Sequence, residues 1–243
     1  MKGILNKLTP SMDNYLRVLY NNWEIGLPRV SNQEIAFKLN TSPSTVSITV
    51  NKLSEMKYNQ SPLIMYEKYH GVQLTKAGLD IANLVERKYR IFETFLAYLG
   101  NDLFSISRII DNNYFDYELA DNIYHQLQQK GVDIDFKHCP HGSIIPSEYD
   151  YHRRDSRLFS MSANGYFAID QDYTFAKYDE FVFNAYRKTK AKREVQEMIL
   201  KLDLRFEDTI TITNRDETSV EIAKAQKRTN IPNNLAKMMY LIH

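Results

Sequence analysis

Ser31-Asn-Gln-Glu-Ile-Ala-Phe-Lys-Leu-Asn-Thr-Ser-Pro-Ser-Thr-Val-Ser-Ile-Thr-Val-Asn-Lys-Leu53 decides the fold of this chain. It reads as two short helices with a tight turn between them. Ser31 and Glu34 have the spacing of a capping box, in which the serine hydroxyl accepts from the Glu34 N–H and Glu34 reaches back. Ile35, Ala36 and Leu39 make one apolar face. Asn40-Thr41 turns the chain. Ser42 then stands as an N-cap, with Pro43 at the first helical position, where a missing N–H costs nothing. The second helix buries Val46, Val50 and Leu53 and turns out Ser44, Thr45, Ser47, Ile48 and Lys52. Beyond it, Leu63–Glu67 and Val72–Thr75 read as two strands. Lys68-Tyr69-His70-Gly71 joins them in a hairpin with a basic tip. Residues 31–75 therefore read as a winged helix-turn-helix.

The outward chemistry suits duplex DNA. Hydroxyls and the N–H groups of a helix N-terminus bind phosphate, so Ser42, Pro43, Ser44, Thr45 and Ser47 are expected at the backbone or at base edges. Ile48 is out of place on a solvated face but fits against a thymine methyl in the major groove. Lys52, Lys68, Tyr69 and His70 are expected to brace the duplex, and Arg29 to touch phosphate.

A chain of 243 residues with 43% hydrophobic content has room for more than one core. The net charge is only +1, but it is unevenly spread. Residues 1–75 hold eight Lys/Arg against five Asp/Glu, whereas residues 76–140 hold seven against ten. A basic module beside an acidic one points to DNA contact at one end. The single cysteine, Cys139, excludes an intrachain disulfide and suggests a reducing compartment. No apolar run has the length of a membrane span, and the first seven residues are too short for a secretory signal, so the expected location is cytoplasmic.

Along the chain, Ser11 is read as the cap of a first helix ending near Asn21. Thr75 caps a long helix to about Leu99, with Ile81, Leu84, Val85, Tyr89, Phe92, Phe95 and Leu96 recurring at three and four. Helices near 102–110 and 116–129 carry more apolar surface than one small pair can hide, which suggests a dimer interface. Residues 138–146 form an irregular linker. Tyr166–Ile169, Thr209–Thr213 and Ser219–Ile222 alternate like short strands, Glu194–Leu202 looks helical, and Ile231–Met239 reads as a turn before a strand at Tyr240–Ile242. Tyr186–Arg193 reads as a basic loop. The expected domains are a winged helix over 1–75, a helical dimerisation domain over 76–140, and a linker with a small β-rich domain over 141–243. The fold class is mainly α in the first two-thirds and β-rich at the C-terminus.

The order of these parts resembles the DtxR/MntR family of metal-dependent repressors. The resemblance rests on Thr9–Leu16, Arg29–Ala36, Ser42–Leu53, Tyr66–Gly78, Arg87–Leu96, and Cys139-Pro-His-Gly with Ile145-Pro146. It implies a homodimeric repressor that binds an inverted-repeat operator, a C-terminal SH3-like domain, no enzymatic activity and no membrane partner. It also implies Mn²⁺ or Fe²⁺ as effector.

The departures concern the metal. The family's first-helix ligand falls on Asn14, and its Cys/Glu-x-x-Glu-His motif on Glu118-Leu-Ala-Asp121-Asn122. A Glu of the manganese-type members falls on Arg17. The long-helix His falls on Tyr89, with the Glu four residues later kept as Glu93, and a further His falls near Tyr114. Carboxylates and amides alone suit hard cations and hold first-row metals weakly. Arg17 allows two readings: its guanidinium replaces the metal and pairs with Glu118 and Asp121, so that no cofactor is obligatory, or it is a solvated side chain beside a site lost by neutral drift. The alternative is a true sensor with an unconventional site at Glu93, Glu118, Asp121 and His125. A further reading, of another class, is an interaction partner of a metal-sensing relative that does not itself bind DNA. His138-Cys139-Pro-His141 offers potential Zn²⁺ ligands without an evident fourth, and reads first as a structural connector.

Overall fold

The structure is a computed structural model that describes residues 2–67, 69–112, 115–132, 134, 137–146, 158–163, 165–186 and 191–242. The chain forms two compact units, Met1–Arg154 and Asp155–His243. Lys68 and Tyr114 lie outside the described residues, as do Asp133, Asp135 and most of the link between the units.

The first unit opens with a single turn, α1 (Lys2–Leu5), and then α2 (Pro10–Glu24). Thr9, not Ser11, is the α2 cap: its hydroxyl accepts from Met12 N, and Pro10 takes the first helical position. α3 (Asn32–Lys38) and α4 (Pro43–Glu55) follow as the helix pair. Ser31 Oγ accepts from Glu34 N at 3.1 Å, and Ser42 Oγ from Thr45 N at 3.1 Å. The carboxylate of Glu34 pairs forward with Lys38 at 3.5 Å. Asn40 makes the turn with φ 49°, a conformation asparagine tolerates better than most residues.

A two-residue hairpin, β1 (Lys57–Tyr58) with β2 (Ser61–Pro62), precedes the wing. Its turn residues Asn59 and Gln60 both have positive φ, as a hairpin of this length favours. The wing is β3 (Ile64–Glu67) against β4 (Gly71–Leu74), with Glu67 opposite Gly71. Val30 adds a bridge to Val72, and Gly71 is where it comes close: a Cβ there would lie 2.6 Å from the Val30 oxygen. α5 (Lys76–Tyr98) runs on from the Thr75 cap. A Cβ on Gly78 would lie 1.8 Å from the Leu63 oxygen, so the first turn of α5 rests directly on the wing backbone. α6 (Leu103–Asn112) and α7 (Tyr117–Gln129) complete the helical part, α7 capped by Asp116. Leu16, Val18, Ile35, Val46, Val50, Leu53, Ile81 and Val85 form its apolar centre.

The second unit is a six-stranded antiparallel sheet of SH3-like type in the order β5-β10-β6-β7-β8-β9. β5 is Leu158–Ser160 and β6 is Gln171–Tyr178. α8 (Val182–Ala185) and α9 (Ala191–Leu202) intervene before β7 (Thr209–Arg215) and β8 (Ser219–Lys224). β9 (Lys227–Pro232), α10 (Asn233–Ala236) and β10 (Met239–Ile242) close the chain. Three expectations are corrected here. Tyr166–Ile169 is a turn, held where Tyr173 Oη meets Ala168 N at 2.6 Å, and the strand begins only at Gln171. Ile231 belongs to β9 and not to a terminal turn. Of the expected loop over Tyr186–Arg193, Ala191 onward is already helix.

Candidate DNA-binding face and the buried ionic joint

The outer face of α4 presents Ser42, Pro43, Ser44, Thr45, Ile48 and Lys52 to solvent. Ile48 is 58% exposed. Ser42 Oγ lies 2.8 Å from both Ser44 Oγ and Thr45 Oγ1, so three hydroxyls crowd the helix N-terminus. Ser47 differs from the others. It is half-buried, donates to Pro43 O at 3.1 Å and accepts from Asn32 Nδ2 at 3.2 Å, which ties α4 to α3. At the wing, Tyr69 is 91% exposed and His70 is exposed. Arg29 is not presented alone: it donates twice to Glu67, at 3.1 and 3.3 Å. That fork holds the Glu67 carboxyl below its ordinary value, with a smaller contribution from His70. Arg29 is thus a strut for the wing before it is a phosphate contact.

The positions expected to form a metal site do not come together. Glu118, Asp121, Asn122 and His125 all face solvent on α7, because Ala120, Ile123 and Leu127 take its inner face. Asn14 is half-buried, and Tyr89 and Glu93 are buried on α5. Arg17 is only 2% exposed, as the internal-cation reading requires, but its partners are different. Its Nε lies 3.3 Å from Glu86, its Nη2 3.7 Å from Glu93, and its guanidinium 4.1 Å over the Tyr89 ring. All three partners are on α5, not α7.

Arg17 is part of a larger buried joint between α2 and α5. Lys88 donates to Asp13 at 2.6 Å, with both side chains buried. Arg90 forks onto Glu24 at 2.8 and 2.7 Å, reaches Glu86 at 3.3 Å and donates to Ile144 O at 2.6 Å. Asn21 joins in through Glu86 and Arg90. Burial raises the Asp13 carboxyl and lowers the Lys88 ammonium despite their mutual attraction. Both directions mean that desolvation outweighs pairing there.

Next to this joint, Cys139 and His141 meet Glu93. The loop folds back on itself through Cys139 N to Ser143 O and Ile145 N to Lys137 O, each 2.8 Å. His141 Nδ1 lies 3.1 Å from Glu93 Oε2, and its Nε2 lies 3.1 Å from Ser107 Oγ. The carboxylate, thiol and imidazole atoms all lie within 4.8 Å of one another, and all three residues are buried. His138 is exposed and is not one of the three.

Comparison with known proteins now separates the possibilities. The family described as "Iron dependent repressor, N-terminal DNA binding domain" matches residues 7–72. Over 126 residues the chain is 33% identical to the HTH-type transcriptional regulator MntR of Oceanobacillus iheyensis, covering 51% of this chain and 74% of that one. MntR of Listeria monocytogenes (strain HCC23) is 33% identical over 126 residues, covering 77% of its length. The chain belongs to the DtxR/MntR family. Solved structures extend the likeness in fold to nearly its whole length. The metal-dependent transcriptional regulator MtsR superposes with a TM-score of 0.70 at 19% identity, covering 96% of this chain and 99% of that one. ScaR with bound Zn²⁺ gives 0.66 at 20%, covering 95% and 98%. As a DtxR/MntR-family protein the chain is a DNA-binding transcriptional regulator, not an enzyme, and the winged helix is its DNA-binding domain. None of its described helices is long and apolar enough to cross a membrane.

Sequence reasoning missed Asp13, Glu24, Glu86, Lys88 and Arg90, and it read Cys139 and His141 apart from Glu93. A signal was present. Asp13 with Arg17, Glu86 with Arg90, and Glu86 with Glu93 are spaced at four and seven on helices otherwise judged by their apolar faces.

Proposed function

We propose that this DtxR/MntR-family repressor binds an inverted-repeat operator as a homodimer, with the α2–α5 joint closed by its own arginine instead of a metal. The burial of Arg17 between Glu86 and Glu93 carries this reading. A guanidinium does there what a divalent cation does between carboxylates: it neutralises them and fixes their spacing. Each subunit lays α4 in a major groove. Ser42, Ser44 and Thr45 meet phosphates or base edges, Ile48 meets a thymine methyl, and Lys52 with the wing residues Lys68, Tyr69 and His70 steadies the backbone. The apolar surface left on α6 and α7 serves the second copy, and the protein works in the cytoplasm.

Metal control, in this reading, has moved to Glu93, Cys139 and His141. The donor set fits a divalent cation. Glu93 Oε1 is buried and accepts no hydrogen bond among the described residues. Metal–ligand bonds of about 2.0–2.2 Å place adjacent donor atoms roughly 3 Å or a little more apart, and the His141–Glu93 pair already has that separation. His141 Nε2 meets Ser107 Oγ, which itself donates to Leu103 O at 2.9 Å, and Nδ1 turns toward Glu93. That orientation is how an outer partner fixes a ligating imidazole. Thiolate and imidazole favour Zn²⁺ or Fe²⁺ over Mn²⁺. A bound cation would supply charge that ties α5 to the 137–146 loop.

Fluorescence anisotropy on a fragment from the protein's own upstream region tests the main reading. Chelator-treated protein is expected to bind it, and to bind with little change when Mn²⁺ is added. Binding that appears only with metal would mean that Arg17 does not close the joint.

A further inference from the structure

We infer that Arg17 and a divalent cation are rivals for Glu93, so that this arginine sets the affinity of the Glu93–Cys139–His141 site. The inference rests on the metal reading above and adds a regulator to it. Glu93 faces two ways: Oε1 toward Arg17 Nη2 at 3.7 Å, and Oε2 toward His141 Nδ1 at 3.1 Å. One carboxylate thus serves both the permanent cation of α2 and the exchangeable one. Arg17 has a second anchor in Glu86 at 3.3 Å, and Glu86 is itself shared with Arg90 at 3.3 Å.

Charge balance sets the sign. Arg17, Lys88 and Arg90 are buried against Asp13, Glu86 and Glu93, with Glu24 at the margin. This joint is nearly neutral without a metal. A divalent cation held by Cys139 as thiolate adds one net positive charge beside Arg17, in a place where water screens little. Arg17 therefore weakens metal binding. By linkage, metal at Glu93 weakens the hold of Arg17 on α5 by the same factor and shifts it toward Glu86. Because Arg17 sits on α2, the rivalry reaches the winged-helix domain.

The test is a competition titration of the full chain against a chromophoric chelator with Zn²⁺, repeated with Mn²⁺, in four proteins. Arg17→Gln removes the rival and is expected to tighten Zn²⁺ binding roughly tenfold or more. Glu86→Gln removes the second anchor of Arg17, concentrates it on Glu93 and is expected to weaken binding. Cys139→Ser reports whether the bound ion is at this site. Opposite shifts for the first two variants support the inference, and a merely loosened fold would move both the same way. Binding by Arg17→Gln when the parent binds nothing also supports it. If the parent binds through Cys139 and neither variant changes affinity, or both weaken it, the rivalry is overturned while the metal site stands. If neither the parent nor Arg17→Gln binds any metal, the metal site itself fails and the rivalry fails with it.

Discussion

Asp13 and Lys88 form the shortest ion pair in the joint, at 2.6 Å, and burial works against the charge on both partners. The raised carboxyl and lowered ammonium say that each charge is held against a burial penalty. Removing one partner leaves the other buried and alone, which costs about 3–5 kcal/mol. Lys88→Met by itself is therefore expected to be strongly destabilising in a chemical denaturation. The double variant Asp13→Leu with Lys88→Met is expected to be neutral or more stable by about 1–4 kcal/mol. A double variant as unstable as the single one would show that the pair carries the joint. Ile48 makes the other sharp residue-scale prediction. Ile48→Ala should alter base preference at one operator position by about 1 kcal/mol, the scale of a buried methyl contact, read by anisotropy against substituted duplexes. An unchanged preference removes Ile48 from direct readout. The residues behind both predictions were not equally legible. Ile48 stood out because an apolar side chain broke a polar face. Lys88 did not, because in a helical repeat a charged residue next to Tyr89 looks solvated until the partner helix is known.

At the scale of elements, the wing is fixed from two sides. From below, Gly78 lets α5 sit on the Leu63 carbonyl. Gly78→Ala must push those backbones apart, and a loss of roughly 1–3 kcal/mol is expected in thermal or urea unfolding. A loss under half of that would mean that the first turn of α5 shifts freely. From outside, Glu67 binds Arg29. Because the Glu67 carboxyl is lowered, the strut is fully formed above the ordinary Glu value of 4.5 and is lost as pH falls through the lowered one. Glu67→Gln frees Arg29 at neutral pH and is expected to steepen the salt dependence of DNA binding by about one unit of slope. An unchanged slope would keep Arg29 off the phosphates. The winged helix was readable because caps, turn residues and apolar spacing agreed through α3, α4 and the β3–β4 wing, although the short β1–β2 hairpin went unread. The β6 strand was not, because Gln171–Tyr178 is covered on both faces toward its end and its buried run blurs the alternation.

At the scale of the whole molecule, the family was legible in motifs, and the chemistry of its control was not. The resemblance placed family imidazoles at 89 and 122, where this chain has Tyr and Asn. Those departures did not show where Arg17 points, because that requires knowing that α5, with Glu86 and Glu93, lies across from it. Glu93 stands 46 residues before Cys139 and 48 before His141, and only the folded loop joins them.

The 137–146 loop has one more consequence. Arg87 donates to Pro146 O at 2.8 Å and Arg90 to Ile144 O at 2.6 Å, so the last stretch before the link to the C-terminal unit is bolted to the middle of α5. Tension reaching Pro146 meets these two guanidinium contacts within three residues. Arg90 passes it to Glu24 and Glu86, so the pull is carried by charged hardware rather than by the wing. A pull on Ile144 therefore loads α2 as well as α5, since Arg90 grips Glu24 and Glu86 together.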